Sequence, residues 1–201
     1  MPRAVLYAAC CSLACLAGGC GGDDASATDA GTDARIDAAL DAGTDASPVF
    51  ALTSTKLIEG GNFLPAYTCN GANVSLPLTW GVPPAGTESF AVTLVDQISN
   101  LIQWTIYDIP ANRFSLPEDV DKTYAPADVP GAHQARSYDA QVVGYLGPCP
   151  PLTHSYKFTL YALAVPALPG TTANTTRAQL QTLILANDLT SVSLGGSYSQ
   201  P

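Results

Sequence analysis

Short apolar runs divided by proline- and glycine-rich turns constrain the fold of this chain more than any other feature. Stretches such as GVPPAGT, IPANRFSLP and APADVPGAH separate these runs. Four runs are continuously apolar or alternate with polar residues: FAVTLV (90–95), IQWTIYDI (102–109), YKFTLYALAV (156–165) and SVSLGGSY (191–198). Because β-branched and aromatic residues favour strands and proline interrupts helices, the pattern predicts a mainly antiparallel β domain over residues 49–201.

One segment, at about residues 176–187 (TRAQLQTLILAN), is predicted to be a helix. Thr176 followed three residues later by Gln179 fits a capping box, in which two side chains satisfy backbone groups at the helix start. The apolar residues that share one face of this helix are Leu180, Leu183 and Ile184. Their spacing indicates that this face packs on the sheet.

Residues 1–19 are predicted to be a signal peptide, because one Arg is followed by a short apolar run and small residues. The run is too short and wrongly flanked for a membrane-spanning helix. LAGGC at 16–20 resembles a bacterial lipobox, which predicts that Cys20 is lipidated and becomes the mature N-terminus. Cys15, after SLA, is a poorer candidate. The alternative is cleavage without lipidation, which would give a secreted protein.

Residues 20–48 are predicted to be the lipidated Cys20 followed by a disordered tether of Asp, Ala, Thr and Gly. DAGTDA occurs twice in this segment, at 29–34 and 41–46, and few apolar residues are available to offset the entropy of ordering. Weak cation binding by the acidic repeat is the alternative to a simple linker. The formal net charge of −9 argues against a nucleic-acid-binding protein.

Several motifs in the β region occur in the order typical of one family. They are LPAYTCNGANVSLPLTWGVPPAGTESFAV (64–92), W…Y.IP (104–110), GYLGPCPPLTH (144–154) and YKFTLYAL (156–163). In these motifs, residues 49–199 resemble the phosphatidylethanolamine-binding protein family, whose members are also called Raf kinase inhibitor-like proteins. The resemblance is strongest to the bacterial branch of this family. The resemblance implies a large central antiparallel sheet packed on a smaller sheet, with a few peripheral helices. It also implies a small pocket at the end of the sheet for phosphate or a phospholipid head group.

Two of the three stretches that form the family's pocket depart from its pattern here. Asp96 matches the first Asp of an Asp-Pro-Asp motif, but Ile98 stands in place of the second Asp. Gln103 replaces the histidine of a His-Trp pair, and Trp104 is expected in the core. Because a carboxamide can donate a hydrogen bond but is never cationic, we expect weaker or altered anion binding.

The third stretch matches the family well and supplies the remaining pocket residues. The resemblance implies ligand contacts from Gly147, Pro150, Pro151, His154 and Tyr156. Prolines stiffen the loop before a ligand arrives, and glycine would let a ligand approach the backbone closely. A protonated His154 would donate a charge-assisted hydrogen bond to an anion. A purely structural hydrogen bond is the alternative role for His154.

Cys69 and Cys149 are the only cysteines beyond residue 20, and export makes a disulfide between them the favoured prediction. Two buried free thiols are the alternative. A nucleophilic pair of Cys149 and His154 has no readable third member, so neither an enzyme nor a metal or cofactor site is expected. His133 matches no motif and is expected to be a solvated loop residue.

Together these features predict a membrane-anchored extracytoplasmic binding protein on the periplasmic or outer face of a membrane. Its pocket for an anion or a phospholipid head group would be partly degenerate. The alternative is an interaction protein that inhibits a protease or a kinase through surface loops, most plausibly within 111–140. Binding that depends on the pocket would favour the first hypothesis over the second.

Overall fold

A computed structural model describes residues 49–201 of the chain; the predicted signal peptide, the Cys20 lipidation site and the tether lie outside the described residues. The described part contains nine strands, one α-helix and one short 3-10 helix. In chain order they are β1 (Leu52–Thr53), β2 (Gly61–Asn62), the 3-10 helix (Pro65–Tyr67), β3 (Leu78–Trp80), β4 (Ser89–Asp96), β5 (Ile102–Pro110), β6 (Ser115–Leu116), β7 (His133–Gln134), β8 (His154–Leu163), α1 (Arg177–Asn187) and β9 (Asp188–Tyr198).

The strands form one large and one small sheet, which confirms the predicted mainly β architecture. The large sheet has the order β2-β9-β8-β4-β5-β7, and the small sheet has the order β1-β3-β6. All pairs are antiparallel except β2 with β9. Each of the four apolar runs noted in the sequence forms most of one long strand of the large sheet.

The main core lies between the two sheets and is rich in aromatic rings. Trp80 of the small sheet contacts Phe90 of the large sheet edge to face, with ring centroids 5.4 Å apart. Trp104 is fully buried and packs on Tyr145, with ring centroids 5.5 Å apart, which confirms its expected core role. This packing fixes the position of β4, β5 and β8, whose ends carry the predicted pocket residues.

Helix α1 covers part of the other face of the large sheet. The capping box is present as predicted, because the Thr176 side chain accepts from the Gln179 amide while the Gln179 side chain accepts from the Thr176 amide. Leu180 and Ile184 are fully buried against a second cluster that includes Tyr107. No helix within residues 49–201 has the length and apolar character needed to cross a bilayer.

Residues 111–140 form a largely irregular excursion that contains only the short strands β6 and β7. The expectation that His133 is a solvated loop residue is wrong. His133 lies in β7, its side chain is 34% exposed, and its Nδ1 lies 3.1 Å from Oδ2 of Asp108. No sequence pattern indicates this pair, because its two members are 25 residues apart and meet only through the β5–β7 pairing.

Candidate functional site

The predicted pocket residues meet at one end of the large sheet. Asp96 is the last residue of β4, and His154 is the first residue of β8. In the antiparallel register Asp96 lies opposite Tyr156, and His154 lies opposite Tyr198, the last residue of β9. Directly paired residues share one face of a sheet, so these four side chains form a polar corner, which we call the sheet-end corner.

A short pair between His154 and Asp96 is the centre of this corner. Nδ1 of His154 lies 2.7 Å from Oδ2 of Asp96, while Oδ1 of Asp96 accepts hydrogen bonds from the backbone amides of Ile98 and Ser99. Burial alone would raise the pKa of Asp96, but the hydrogen bonds from His154, Ser99 and Ile98 outweigh it and lower the pKa below its ordinary value. Asp96 is therefore ionised at neutral pH.

An ionised Asp96 fixes how the His154 ring is used. A carboxylate only accepts hydrogen bonds, so Nδ1 of the imidazole carries the proton that faces Asp96. Nε2 of His154 has no hydrogen-bond partner among residues 49–201, and the side chain is 16% exposed. The imidazole is thus oriented by the protein on one side and offers its other nitrogen to a bound molecule.

Gln103 is placed next to the loop that precedes β8 and is almost completely buried. With its nitrogen turned toward this loop, the carboxamide donates to the carbonyl oxygens of Leu146 at 2.8 Å and Gly147 at 3.0 Å. Gln103 therefore holds the loop in place. This differs from the expectation that its amide would be presented to a ligand.

Two tyrosine hydroxyl groups in the sheet-end corner lack a good hydrogen bond. Tyr156 and Tyr198 are both buried, and neither hydroxyl has a partner of acceptable geometry among residues 49–201. Burial, helped by the nearby charge of Asp96, raises the pKa of Tyr156 well above its ordinary value. Since buried hydroxyl groups normally have a partner, these two groups leave the corner incompletely paired among residues 49–201.

Tyr198 was missed by the sequence reasoning, although a signal for it exists. The alternation in SVSLGGSY places Tyr198 on the same face as Leu194, which is buried. A tyrosine at the inward-facing end of a strand is a reasonable pocket candidate. Its distance from the other pocket motifs, 42 residues after Tyr156, hid the relation until the β8–β9 register was known.

Gly147 serves loop packing, and its role in letting a ligand approach the backbone stays a prediction. A Cβ atom at this position would lie 2.3 Å from the carbonyl oxygen of Tyr67 and 3.0 Å from Cα of Thr68. The Gly147 amide also donates to Oδ1 of Asn73 at 2.7 Å. The absence of a side chain therefore allows two protein loops to touch.

The rest of the proline loop is tied to the same turn by the two cysteines. The Sγ atoms of Cys69 and Cys149 lie 2.09 Å apart, at bonding distance, and the Cys69 amide donates to the carbonyl oxygen of Pro148 at 3.1 Å. Pro150 is buried, whereas Pro151 is exposed. With its sulfur bonded, Cys149 offers no free thiol beside His154.

Apolar side chains border the sheet-end corner on its solvent side. Ile98 is 62% exposed and Leu152 is 74% exposed, and both lie within four residues of a member of the His154–Asp96 pair. Ile98 contributes its amide to Asp96 and directs its side chain outward. Its replacement of a family Asp therefore changes the rim of the corner more than its interior.

The sheet-end corner is a closed polar cluster that opens narrowly at His154. Asp96, Tyr156 and Tyr198 are all less than a tenth exposed. A wider groove of about 490 Å³ lies beside it, and its lining includes Asn100 and Tyr138 but neither Asp96 nor His154. The groove is therefore a surface separate from the corner.

Comparisons with known proteins agree with this fold. The sequence profile of the family described as phosphatidylethanolamine-binding protein matches residues 53–199. YbcL of Escherichia coli is 31% identical over 161 residues, which are 74% of this chain and 87% of YbcL. Its crystal structure, described as that of a new member of the mammalian PEBP family, has a TM-score of 0.69 at 30% identity and covers 76% of this chain and 99% of YbcL.

Two further relatives extend the comparison. The crystal structure of a homologue from Chlamydia trachomatis has a TM-score of 0.65 at 25% identity, and covers 77% of this chain and 100% of that protein. LppC of Mycobacterium tuberculosis, whose name proposes that it is a lipoprotein, is 34% identical over 125 residues, which are 60% of this chain and 55% of LppC.

Proposed function

This chain belongs to the phosphatidylethanolamine-binding protein family, and we propose that it is a lipid-anchored extracytoplasmic protein that binds a small head-group-type ligand at the sheet-end corner. One observation carries the proposal. The 2.7 Å contact with Asp96 orients a partly exposed His154 and leaves its Nε2 without a protein partner. Such a preoriented imidazole is suited to hold one polar atom of a ligand.

The charge of the corner favours a ligand that is not a dianion. Asp96 is ionised, Tyr156 is neutral, and Gln103 adds no positive charge because a carboxamide is uncharged. A phosphate dianion would therefore lie close to a carboxylate with at most one cation, His154, to offset the repulsion. A zwitterion that pairs a phosphate with an ammonium group suits this balance better.

The apolar rim of the sheet-end corner and the predicted lipidation of Cys20 both favour a ligand that comes from a membrane. Exposed Ile98 and Leu152 would contact the apolar part of an amphiphilic molecule whose polar head reaches His154. The LAGGC motif at 16–20 and the designation of LppC both favour lipidation at Cys20. Lipidation would hold the domain next to its ligand source, in the cell envelope.

Calorimetric titration of the full mature chain with phosphoethanolamine and with inorganic phosphate tests the ligand assignment. We expect tighter binding of phosphoethanolamine, and a loss of about tenfold or more in H154Q, because a hydrogen bond to a charged group is removed. H133Q is the matched control, since it breaks the other His–Asp pair and should leave affinity unchanged. An affinity for phosphoethanolamine in H154Q equal to that of wild type would reject the assignment.

Membrane attachment is tested separately by replacing the proposed lipidation site. C20A should move the exported protein from the membrane fraction to the soluble fraction, because the acyl chains supply the binding free energy. C15A is the control and should stay with the membrane. Equal membrane association of C20A and wild type would show that Cys20 is not the anchor.

A further inference from the structure

A groove beside the sheet-end corner has the features of a second, independent oxyanion site. It lies between the turn that follows β4, the loop at 136–140 and the start of α1, and has a volume of about 490 Å³. We propose that this groove, which we call the arginine groove, binds the phosphate group of a small ligand through Arg136 and Arg177. This site does not depend on the function proposed above.

The first argument is the concentration of positive charge. Arg136 and Arg177 are two of the three arginines in residues 49–201, and no Asp or Glu lines the groove. Asp139 is the nearest acidic residue in sequence, and its carboxylate accepts from the Ser137 hydroxyl at 2.5 Å and from the Gln141 amide at 2.9 Å. Asp139 is thus hydrogen-bonded within its own loop, but its carboxylate also acts electrostatically on Arg177 and offsets part of the positive charge of the groove.

The second argument is that the guanidinium of Arg177 is held in position. Its Nη1 donates to the carbonyl oxygen of Arg136 at 3.0 Å and to that of Ser137. The opposite edge, formed by Nε and Nη2, has no acceptor among residues 49–201. Because the planar fork of an arginine matches two oxygens of a phosphate, an edge fixed in advance loses little entropy when it binds.

The third argument comes from the helix start, which lines the same groove. The capping box uses the amides of Thr176 and Gln179. The amides of Arg177 and Ala178 have no acceptor within the helix, and they lie at the positive end of its dipole. Both residues line the groove together with Arg136.

The arginine groove is adjacent to the sheet-end corner but built from different side chains. Asn100, which lines the groove, donates its amide to the carbonyl oxygen of Asp96 at 2.8 Å, so one turn serves both sites. Asp96 and His154 do not line the groove. Phosphate binding there should therefore survive changes in the His154–Asp96 pair.

A residue-resolved titration tests this proposal. Inorganic phosphate is added to the ¹⁵N-labelled full mature chain at low ionic strength, and the amide signals of Arg177 and Ala178 are expected to shift. R136Q should weaken this binding about fivefold, as expected for loss of a solvent-accessible charge contact. K56Q changes the net charge equally at an exposed lysine and should leave binding unchanged, as should H154Q.

Three results would overturn the proposal. The first is an absence of amide shifts at Arg177 and Ala178 up to about 20 mM phosphate. The second is an equal affinity for phosphate in R136Q and wild type. The third is loss of these amide shifts in H154Q. The last would assign the phosphate to the sheet-end corner. The two proposals can fail separately. The function proposed above predicts weaker phosphoethanolamine binding in H154Q, whereas the present proposal predicts unchanged phosphate shifts at Arg177 and Ala178 in H154Q.

The source of the phosphate is distinguished with vesicles. The unlipidated full chain, C20S, is sedimented with phosphatidylglycerol vesicles and with phosphatidylcholine vesicles. Sedimentation with phosphatidylglycerol alone, reduced in R136Q, would identify a lipid phosphate. Shifts with inorganic phosphate and no sedimentation with either vesicle would identify a soluble phosphate compound.

Discussion

The large sheet carries two His–Asp pairs, and their surroundings differ in an instructive way. His154 and Asp96 meet at the end of β8 and β4 at 2.7 Å, whereas His133 and Asp108 meet at the β7 edge of the sheet at 3.1 Å. The imidazole of His133 is the more exposed of the two, at 34% against 16%. Exposure alone would therefore select the wrong pair as the candidate site.

Burial raises the pKa of both carboxyl groups, but their net pKa shifts have opposite directions. In Asp96 the hydrogen bonds from His154 and two turn amides overcome burial and lower the pKa. In Asp108 burial dominates and raises the pKa, despite hydrogen bonds from the Leu168 amide and from His133. Asp108 also adopts φ 57° where the β4–β5 register shifts, a conformation that Asp tolerates better than most residues.

The two imidazoles also differ in what surrounds them. The ring of His133 packs against Tyr124 and Tyr107, with ring centroids 4.8 Å and 5.7 Å away, and Asp108 accepts from the Leu168 amide at 2.7 Å. That pair therefore fastens a loop to the sheet. His154 instead stands after a proline loop. Neither Nε2 has a hydrogen-bond partner among residues 49–201, so the two pairs differ in the rings and loops around them and not in a free nitrogen.

The largest expected effect is the loss of stability on removal of the disulfide, which should disturb the His154–Asp96 pair but not the His133–Asp108 pair. C149S removes a link that closes an 80-residue loop, and the chain-entropy model gives a loss of about 4 kcal/mol in unfolding free energy. The loop before His154 should loosen, while the His133–Asp108 pair, held by strand pairing, should not. Urea unfolding and hydrogen exchange measure the two effects.

Controls for this prediction come from the same disulfide. C69S and the double variant should match C149S, because all three remove one link. Wild type under reducing conditions should behave likewise. An unfolding free energy of C149S within about 1 kcal/mol of oxidised wild type would contradict the assigned role of the bond.

A smaller effect is expected in how the stability contribution of each carboxylate depends on pH. Asp96 has a lowered folded-state pKa, so it stabilises the fold above its ordinary pKa and loses this contribution as pH falls through the folded-state value. D96N should cost about 1–2 kcal/mol at pH 7, and this cost should shrink below about pH 4.

Asp108 should show the opposite trend. Its raised pKa means that ionisation opposes folding, a penalty that is present near neutral pH and relieved as pH falls. D108N should therefore cost less than D96N at pH 7, and its cost should grow toward acid pH. Urea midpoints from pH 3 to 7 measure both slopes, and slopes of equal sign would show that the environments do not differ as described.

Much of the fold and part of the site were predictable from the sequence. Alternation and turn residues identified the four long strands, and Thr176 with Gln179 identified the start of α1, because these signals act over a few residues. The motif order brought Asp96 and His154 together. These successes rest on local propensity and on a shared family pattern.

The remaining features depend on contacts between loops that are distant in sequence. Gln103 bonds to the loop at 146–147, and Gly147 packs on Tyr67. Tyr198 joins the corner only through the β8–β9 register. No periodicity or spacing encodes such contacts, so the sequence indicated the right neighbourhood but not the packing roles of Gln103 and Gly147.

The most direct test of this account observes both imidazoles in one spectrum. The ring nitrogen signals of His154 and His133 are recorded while phosphoethanolamine is added to the full mature chain at constant pH. We expect the Nε2 signal of His154 to move with saturation, while both signals of His133 stay fixed. A bound ligand that moves only His133, or neither ring, would contradict the claim that the His154–Asp96 corner is the binding site.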